Sequence, residues 1–261
     1  MPKSKHNRKG KNRSGDKRPV ARSGKNEGWV DYRSGQPPTN EKVPISEDRQ
    51  CPYLDRIAGL ADVFTKDECA EIIDNALENW GERESQVQRD KDGKIEQNFE
   101  EDLDYRNTTL FIPKKQDDGL FSRILGTIKG FNERKDGYGF KIKGLAEPPN
   151  MMRYHAPDID KRGKPGKYDW HIDVGPGAIP SMRKLSYSIL LNPTEYEGGQ
   201  FISKIGRQET AFEDTTFDDE TRRDLTGTMI LFPSYILHRI SEVTKGTRYA
   251  LVGWAHGNSF I

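Results

Sequence analysis

His171 and Asp173 stand two residues apart in Tyr168-Asp169-Trp170-His171-Ile172-Asp173. In an extended strand, residues i and i+2 project to the same side, so one imidazole nitrogen and one carboxylate oxygen can converge on a point. A second histidine, His238, comes much later, in Ile236-Leu237-His238-Arg239-Ile240, flanked by apolar residues as in a buried strand. Two imidazoles and one carboxylate on one face of a metal ion leave its opposite face open. That donor set suits Fe(II), although Zn, Mn or Ni can take the same ligands. A closed structural zinc site would want four protein donors, and no fourth stands at a suitable spacing. His155 reads as a supporting or surface residue, and His256 as a surface one.

Arg248 is the second chemical marker. In Thr247-Arg248-Tyr249-Ala250-Leu251-Val252-Gly253-Trp254, alternation puts Arg248, Ala250, Val252 and Trp254 on one strand face. An arginine among apolar residues is costly unless it meets an anion. That anion is either a core carboxylate or a bound dicarboxylate gripped by the planar guanidinium fork. No paired carboxylates or Ser-His arrangement suggests general acid–base work. A His-x-Asp pair alone is weak evidence, and a lone apolar-flanked histidine is usually a core residue. It is the combination, in a strand-rich half with an arginine on the next strand, that points to a metal centre.

The elements that must position these residues begin near Tyr53. Leu54, Ile57, Leu60, Val63 and Phe64 lead into Thr65-Lys66-Asp67-Glu68, which has the form of a capping box. The helix beyond it carries Cys69, Ile72, Ile73, Ala76, Leu77 and Trp80 at helical spacing, with Gly81 as its expected stop. Residues 82–103 are polar and read as a loop, residues 105–112 as a strand, and residues 118–134 as a second helix ended by Gly137 and Gly139. From about residue 140 short strands alternate with turn residues. The expected strands are 139–143, 150–155, 168–173, 184–191, 199–205, 209–213, 227–232, 235–240 and 247–254. This pattern predicts a mainly β fold, a double-sheet roll with two helices over one outer face.

The chain has 261 residues, enough for one sizeable domain, but its hydrophobic fraction of 33% is lean. Residues 1–28 hold ten Lys/Arg against two Asp/Glu, giving +8 within a total of +1, so the remainder carries −7. Residues 1–50, rich in Lys, Arg, Gly, Ser and Pro, read as a disordered basic arm, and 51–261 as the folded domain. By composition the arm suits either phosphate contacts with nucleic acid or a solubilising tail. Two cysteines, Cys51 and Cys69, make no disulfide framework and fit a reducing compartment. With no apolar run of spanning length and no signal-peptide pattern, the expectation is a soluble cytoplasmic protein.

Taken in order, these motifs resemble the prolyl 4-hydroxylase-like branch of the 2-oxoglutarate/Fe(II)-dependent dioxygenases, and most closely its small PKHD-type members. The likeness covers about residues 53–256. It runs through Asp67-Glu68-Cys69, Arg106-Asn107, Met152-Arg153-Tyr154 and His171-x-Asp173. It continues through Leu185 to Asn192, Tyr196-Glu197-Gly198-Gly199-Gln200-Phe201, Phe232-Pro233-Ser234, His238-Arg239 and Gly246-Thr247-Arg248. The resemblance implies a double-stranded β-helix core, Fe(II) held by His171, Asp173 and His238, and Arg248 on the distal carboxylate of 2-oxoglutarate. It implies O2 as the other cosubstrate, and ascorbate as an accessory reductant. Tyr154 matches a tyrosine that lines the cosubstrate pocket, with plain core packing as its other reading. Trp254 matches a pocket-wall tryptophan, with packing the stronger reading. The implied activity is hydroxylation of an unactivated C–H bond, with a peptidyl residue such as proline as substrate. Retention of Asp173 favours hydroxylation over halogenation. Two other readings are a nucleic-acid base oxygenase, suggested by the arm, and a non-catalytic metal-bearing scaffold. The Lys/Gly/Pro-rich segment between Tyr154 and Tyr168 is longer than in compact members of the branch and is expected to shape substrate entry.

Overall fold

The computed structural model describes residues 54–91, 94–115, 117–212 and 224–259. The basic arm and Cys51 lie outside the described residues. The first helix, α1 (Lys66–Asn79), starts as its sequence dictates. Thr65 Oγ1 accepts from the Glu68 N–H while the Glu68 carboxylate accepts from the Thr65 N–H, a reciprocal capping box. The helix stops one residue before the expected glycine, because Trp80 already turns extended. Gly81 instead opens a strand. The second helix, α2 (Asp118–Asn132), is capped by Asp117, whose carboxylate accepts from the Leu120 N–H.

Fifteen strands are present among the described residues. β1 (Ala58–Leu60), β2 (Gly81–Glu84), β6 (Thr109–Ile112), β7 (Asn150–His155), β9 (Arg183–Leu190), β13 (Met229–Pro233) and β15 (Val243–His256) form the larger sheet. Its order is β1-β13-β9-β15-β7-β6-β2, with β10 (Tyr196–Gly198) also paired to β15. The facing sheet has the order β12-β11-β14-β8-β5, from β12 (Gln208–Ala211), β11 (Phe201–Ile205), β14 (Leu237–Ile240), β8 (Lys167–His171) and β5 (Arg106–Asn107). Every pairing is antiparallel. This is the expected two-sheet roll.

One apolar cluster joins the outer face of the larger sheet to both helices. Leu185, Tyr187 and Ile189 of β9 meet Cys69 and Ala76 of α1 and Ile124 and Ile128 of α2. A second cluster, including Leu190, Phe201, Ile230 and Phe232, fills the space between the sheets around the functional cavity. Each fully buried aliphatic or phenylalanine side chain contributes about 1.5–3 kcal/mol, so the first layer holds the helices on the larger sheet and the second holds the two sheets together.

Four local expectations are corrected. Residues 82–103 are not a loop: after β2 they form a hairpin of β3 (Val87–Lys91) and β4 (Lys94–Glu100). The expected strand 105–112 is two strands in different sheets, β5 pairing with β8 and β6 with β7. The break falls at buried Thr108, whose hydroxyl donates to the Arg153 carbonyl. Residues 139–143 are not a strand. They run beside the end of β15 with one isolated bridge, Gly144 to His256. Finally, β8 ends at His171, so Asp173 lies just beyond the strand expected to hold it.

The segment 156–167 is fastened to the body. Asn107 Nδ2 donates to the carbonyls of Lys164 and Pro165 at 3.0 and 3.1 Å, and Arg162 closes on Asp160 and Glu101.

Candidate metal centre

Adjacent strands bring the two histidines together. His238 of β14 is the direct cross-strand partner of His171 of β8, which places both on one face of the smaller sheet. Asp173 reaches the same point by a different route from the strand alternation expected of it. Its N–H donates to the Ser234 carbonyl at 2.9 Å, and its own carbonyl accepts from Arg183 Nη1 at 3.0 Å. Those two bonds end the strand and turn the carboxylate inward, while Ile172 is left exposed.

The donor atoms of His171, Asp173 and His238 all lie within 4.8 Å of one another. His171 Nε2 is 3.8 Å from Asp173 Oδ1, and His238 Nε2 is 3.6 Å from Asp173 Oδ2, both too long for hydrogen bonds. Each imidazole is oriented from behind. His171 Nδ1 lies 2.7 Å from the Asp169 carbonyl, and His238 Nδ1 lies 2.9 Å from the Ile236 carbonyl. A carbonyl can only accept, so both Nδ1 atoms carry a proton and both Nε2 atoms are left facing the carboxylate. Burial first, and the neighbouring His238 second, push the His171 pKa down to about 3, so this ring is neutral at physiological pH. Burial opposes ionisation of Asp173, but His238 and His171, with Ser186 and Arg183, outweigh it and hold the carboxyl below its ordinary range. Two imidazoles held from behind on backbone carbonyls and an ionised carboxylate, each pre-oriented, fit a divalent metal such as Fe(II).

The rings are packed on the other side. Tyr168 stacks on His171 at 3.5 Å and 15°, and Phe201 and Phe232 enclose His238. A cavity of about 530 Å³ opens from the three donors between the sheets. Arg248 lies in its wall, fully buried, directly across from Tyr154 in the β15–β7 pairing and 5.2 Å from the Tyr154 ring centroid. Gly199, at φ +62°, makes room for it, since a Cβ there would come within 2.9 Å of Arg248 Cδ. Tyr154 also lines the cavity, and its hydroxyl donates to Met152 Sδ at 3.2 Å.

Three sequence expectations fare differently. Trp254 is more than packing: it lines the cavity and carries the Arg183 guanidinium 3.6 Å above its ring. His256 is not a surface residue but is buried. Its Nδ1 accepts from the Ala146 N–H, which leaves Nε2 to donate to Glu147 at 3.0 Å. His155 sits apart, half-buried on Thr247. Sequence reasoning missed the Glu147–Arg183 pair, a two-point ion pair at 2.6 and 2.7 Å that buttresses the Asp173 carbonyl. Its members are remote in sequence and no local spacing announces them. Burial opposes it, but His256 and Arg183 keep the Glu147 carboxyl below its ordinary range. Ser186 and Ser188 alternate with apolar residues along β9, which could suggest a solvent face. That face is buried instead, with Ser188 on the cavity wall and Ser186 bonded to Ser234.

Residues 152–256 match the model of the 2OG-Fe(II) oxygenase superfamily. This segment carries all three donors and Arg248, so the resemblance read from the motifs is met by the family comparison. Among particular relatives, a PKHD-type hydroxylase of Hyphomonas neptunium is 32% identical over 117 residues, covering 43% of this chain and 46% of that protein. A PKHD-type hydroxylase of Delftia acidovorans is 34% identical over 115 residues, covering 42% and 43%. The chain spans about half the length, or less, of the curated relatives it matches. In fold, it is similar to a prolyl hydroxylase of Trichoplax adhaerens solved with a hypoxia inducible factor peptide fragment. That likeness has a TM-score of 0.54 at 16% identity, over 77% of this chain and 83% of that one. A Pseudomonas putida prolyl-4-hydroxylase gives a TM-score of 0.50 at 15% identity, over 78% and 93%. The architecture is therefore the double-stranded β-helix of such oxygenases, with two helices on one face. Among the described residues no helix is long and apolar enough to cross a membrane.

Proposed function

We propose that the chain is a 2-oxoglutarate- and Fe(II)-dependent dioxygenase that hydroxylates an unactivated C–H bond of a peptidyl residue such as proline. One observation carries the reading: two imidazoles with their Nδ1 protons fixed on backbone carbonyls present Nε2, beside an ionised carboxylate, to one point in a cavity walled also by a buried arginine. When bound, Fe(II) with O2 and 2-oxoglutarate supplies the oxidising power for C–H hydroxylation, the cosubstrate leaving as succinate and CO2.

His171, Asp173 and His238 would hold the iron. Ser234 and Arg183 fix the Asp173 backbone from both sides, so the carboxylate is oriented before any metal arrives. Arg248 would grip the far carboxylate of 2-oxoglutarate with Tyr154 beside it. Tyr168, Phe201 and Phe232 keep water from the donors and lower the local dielectric. No protein side chain is required to take a proton from the substrate. Ascorbate belongs to the proposal as the reductant that keeps the iron ferrous. A peptidyl substrate is supported by the peptide fragment named with the Trichoplax enzyme.

The test is to incubate the protein with Fe(II), 2-oxoglutarate and a library of proline-containing peptides. Succinate formation and a peptide heavier by one oxygen atom, both lost in Asp173→Ala, are expected. Absence of 2-oxoglutarate turnover by the wild-type protein across the library would overturn the reading.

A further inference from the structure

Four arginines line the cavity, Arg83, Arg106, Arg183 and Arg248, against two carboxylates, Glu147 and Asp173. Glu147 is taken by Arg183 and His256, and Asp173 belongs to the donor set. The wall thus carries more positive charge than its own acids balance. Arg106 is the most informative of these residues. Around it, Arg153 closes on Glu82, Arg162 on Asp160 and Arg183 on Glu147. Arg106 closes on no carboxylate among the described residues. Its Nε is buried without an acceptor, and Nη2 meets only the Met152 sulfur at 4.0 Å. A half-buried guanidinium left so is costly and is retained where an anionic ligand completes it.

The position of Arg106 says which ligand. Its guanidinium lies 4.3 Å from the Tyr168 ring centroid, and Tyr168 stacks on His171 at 3.5 Å. Guanidinium, phenol and imidazole form one column, so an anion on Arg106 sits one ring away from the metal donors. Arg83 extends the same positive wall outward. It pairs with Leu110 and Leu110 pairs with Met152, the residue that Arg106 touches, so both arginines flank one row running to the exposed edge of the larger sheet.

We infer that Arg106, with Arg83 at the rim, binds a carboxylate carried by the substrate that is oxidised, so that this centre selects an acidic substrate. The inference rests on the proposed function above and narrows its substrate class. In a peptide the carboxylate is an acidic side chain close to the target residue; in a free amino acid it is the α-carboxylate.

The experiment measures binding, not turnover, on Mn(II)-loaded protein with 2-oxoglutarate present, through tryptophan fluorescence. The probes are matched pairs: acetylated proline peptides amidated at the C-terminus with Glu or Gln on either side of the proline, and L-proline against L-prolinamide. The acidic member of at least one pair is expected to bind about tenfold more tightly, as for a charge-assisted contact. Discrimination in a peptide pair assigns an acidic flanking residue, and discrimination by L-proline alone assigns a free amino acid. That preference falls to near parity in Arg106→Gln and is reduced in Arg83→Gln, whose exposed side chain can be replaced without touching the core. Equal affinity within every pair in the wild type overturns the inference, as does a preference that survives both variants. If Arg106→Gln weakens 2-oxoglutarate binding while the pair ratios hold, the residue serves the cosubstrate and the inference also fails. Failure of the wild type to bind Mn(II) and 2-oxoglutarate at all refutes the proposed function instead, so the two failures are distinguishable.

Discussion

Replacing Arg248 by methionine is a stringent probe of how the cavity works. Arg248 is fully buried (0% exposed), with its Cδ against the space that Gly199 leaves open and its guanidinium by the Tyr154 ring. Methionine keeps much of the side-chain volume and removes the charge. A two-point guanidinium–carboxylate contact in so dry a place loses little to solvent screening. Hydrogen bonds to charged groups contribute about 1.5–3 kcal/mol, so losing about 3 kcal/mol raises the Kd for 2-oxoglutarate roughly a hundredfold. Stability should change little, because exchanging a buried ion for an apolar group of similar size is often neutral or favourable. Mn(II) affinity in the absence of 2-oxoglutarate should not change, since Arg248 is not among the three donors. Calorimetric titration of Mn(II) into the metal-free wild type and variant, then of 2-oxoglutarate into the Mn(II)-loaded proteins, with parallel thermal melts, reads all three quantities. A 2-oxoglutarate Kd within a factor of about two of wild type, which is below 0.5 kcal/mol, would refute the assignment of Arg248 to the cosubstrate.

Two further substitutions test the supporting structure. Glu147→Gln leaves Arg183 and His256 without their carboxylate and is expected to cost about 1–3 kcal/mol at neutral pH by chemical denaturation. Because the folded-state pKa of Glu147 is depressed, its contribution is present above the unfolded carboxyl value and fades as pH falls through the folded one. The wild-type and variant stability curves should therefore converge in acid, and a gap that stays constant across that range would contradict the ion pair. Gly227→Ala puts a Cβ 1.8 Å from the Phe64 carbonyl oxygen at a residue with φ +76°, so a loss of more than about 1 kcal/mol is expected in the same assay.

The sequence is most readable where a local rule and the tertiary fold agree. Thr65 and Glu68 satisfy each other within one turn, so their pattern marks a helix start in any surroundings. Arg248 also shares the cavity wall with Val252 and Trp254, as strand alternation along β15 puts it. The readings that failed depended on partners remote in the chain. The polar residues 82–103 lack apolar alternation, so their β-hairpin leaves no period-two signature. His256 looks terminal and polar, yet Ala146 and Glu147 satisfy both its ring nitrogens and allow its burial. Asp173 gives the subtlest case. Its place beside His171 was legible, but its orientation comes from Ser234 and Arg183 rather than from strand alternation.

The most direct test is a Mn(II) titration followed by electron paramagnetic resonance on wild type and on His171→Ala, Asp173→Ala and His238→Ala, with melting curves to confirm folding. One bound ion per chain is expected in the wild type, with 2-oxoglutarate perturbing its spectrum, and loss of that site in every folded variant. A bound ion that keeps its wild-type spectrum and affinity in all three variants would contradict the centre described for this chain.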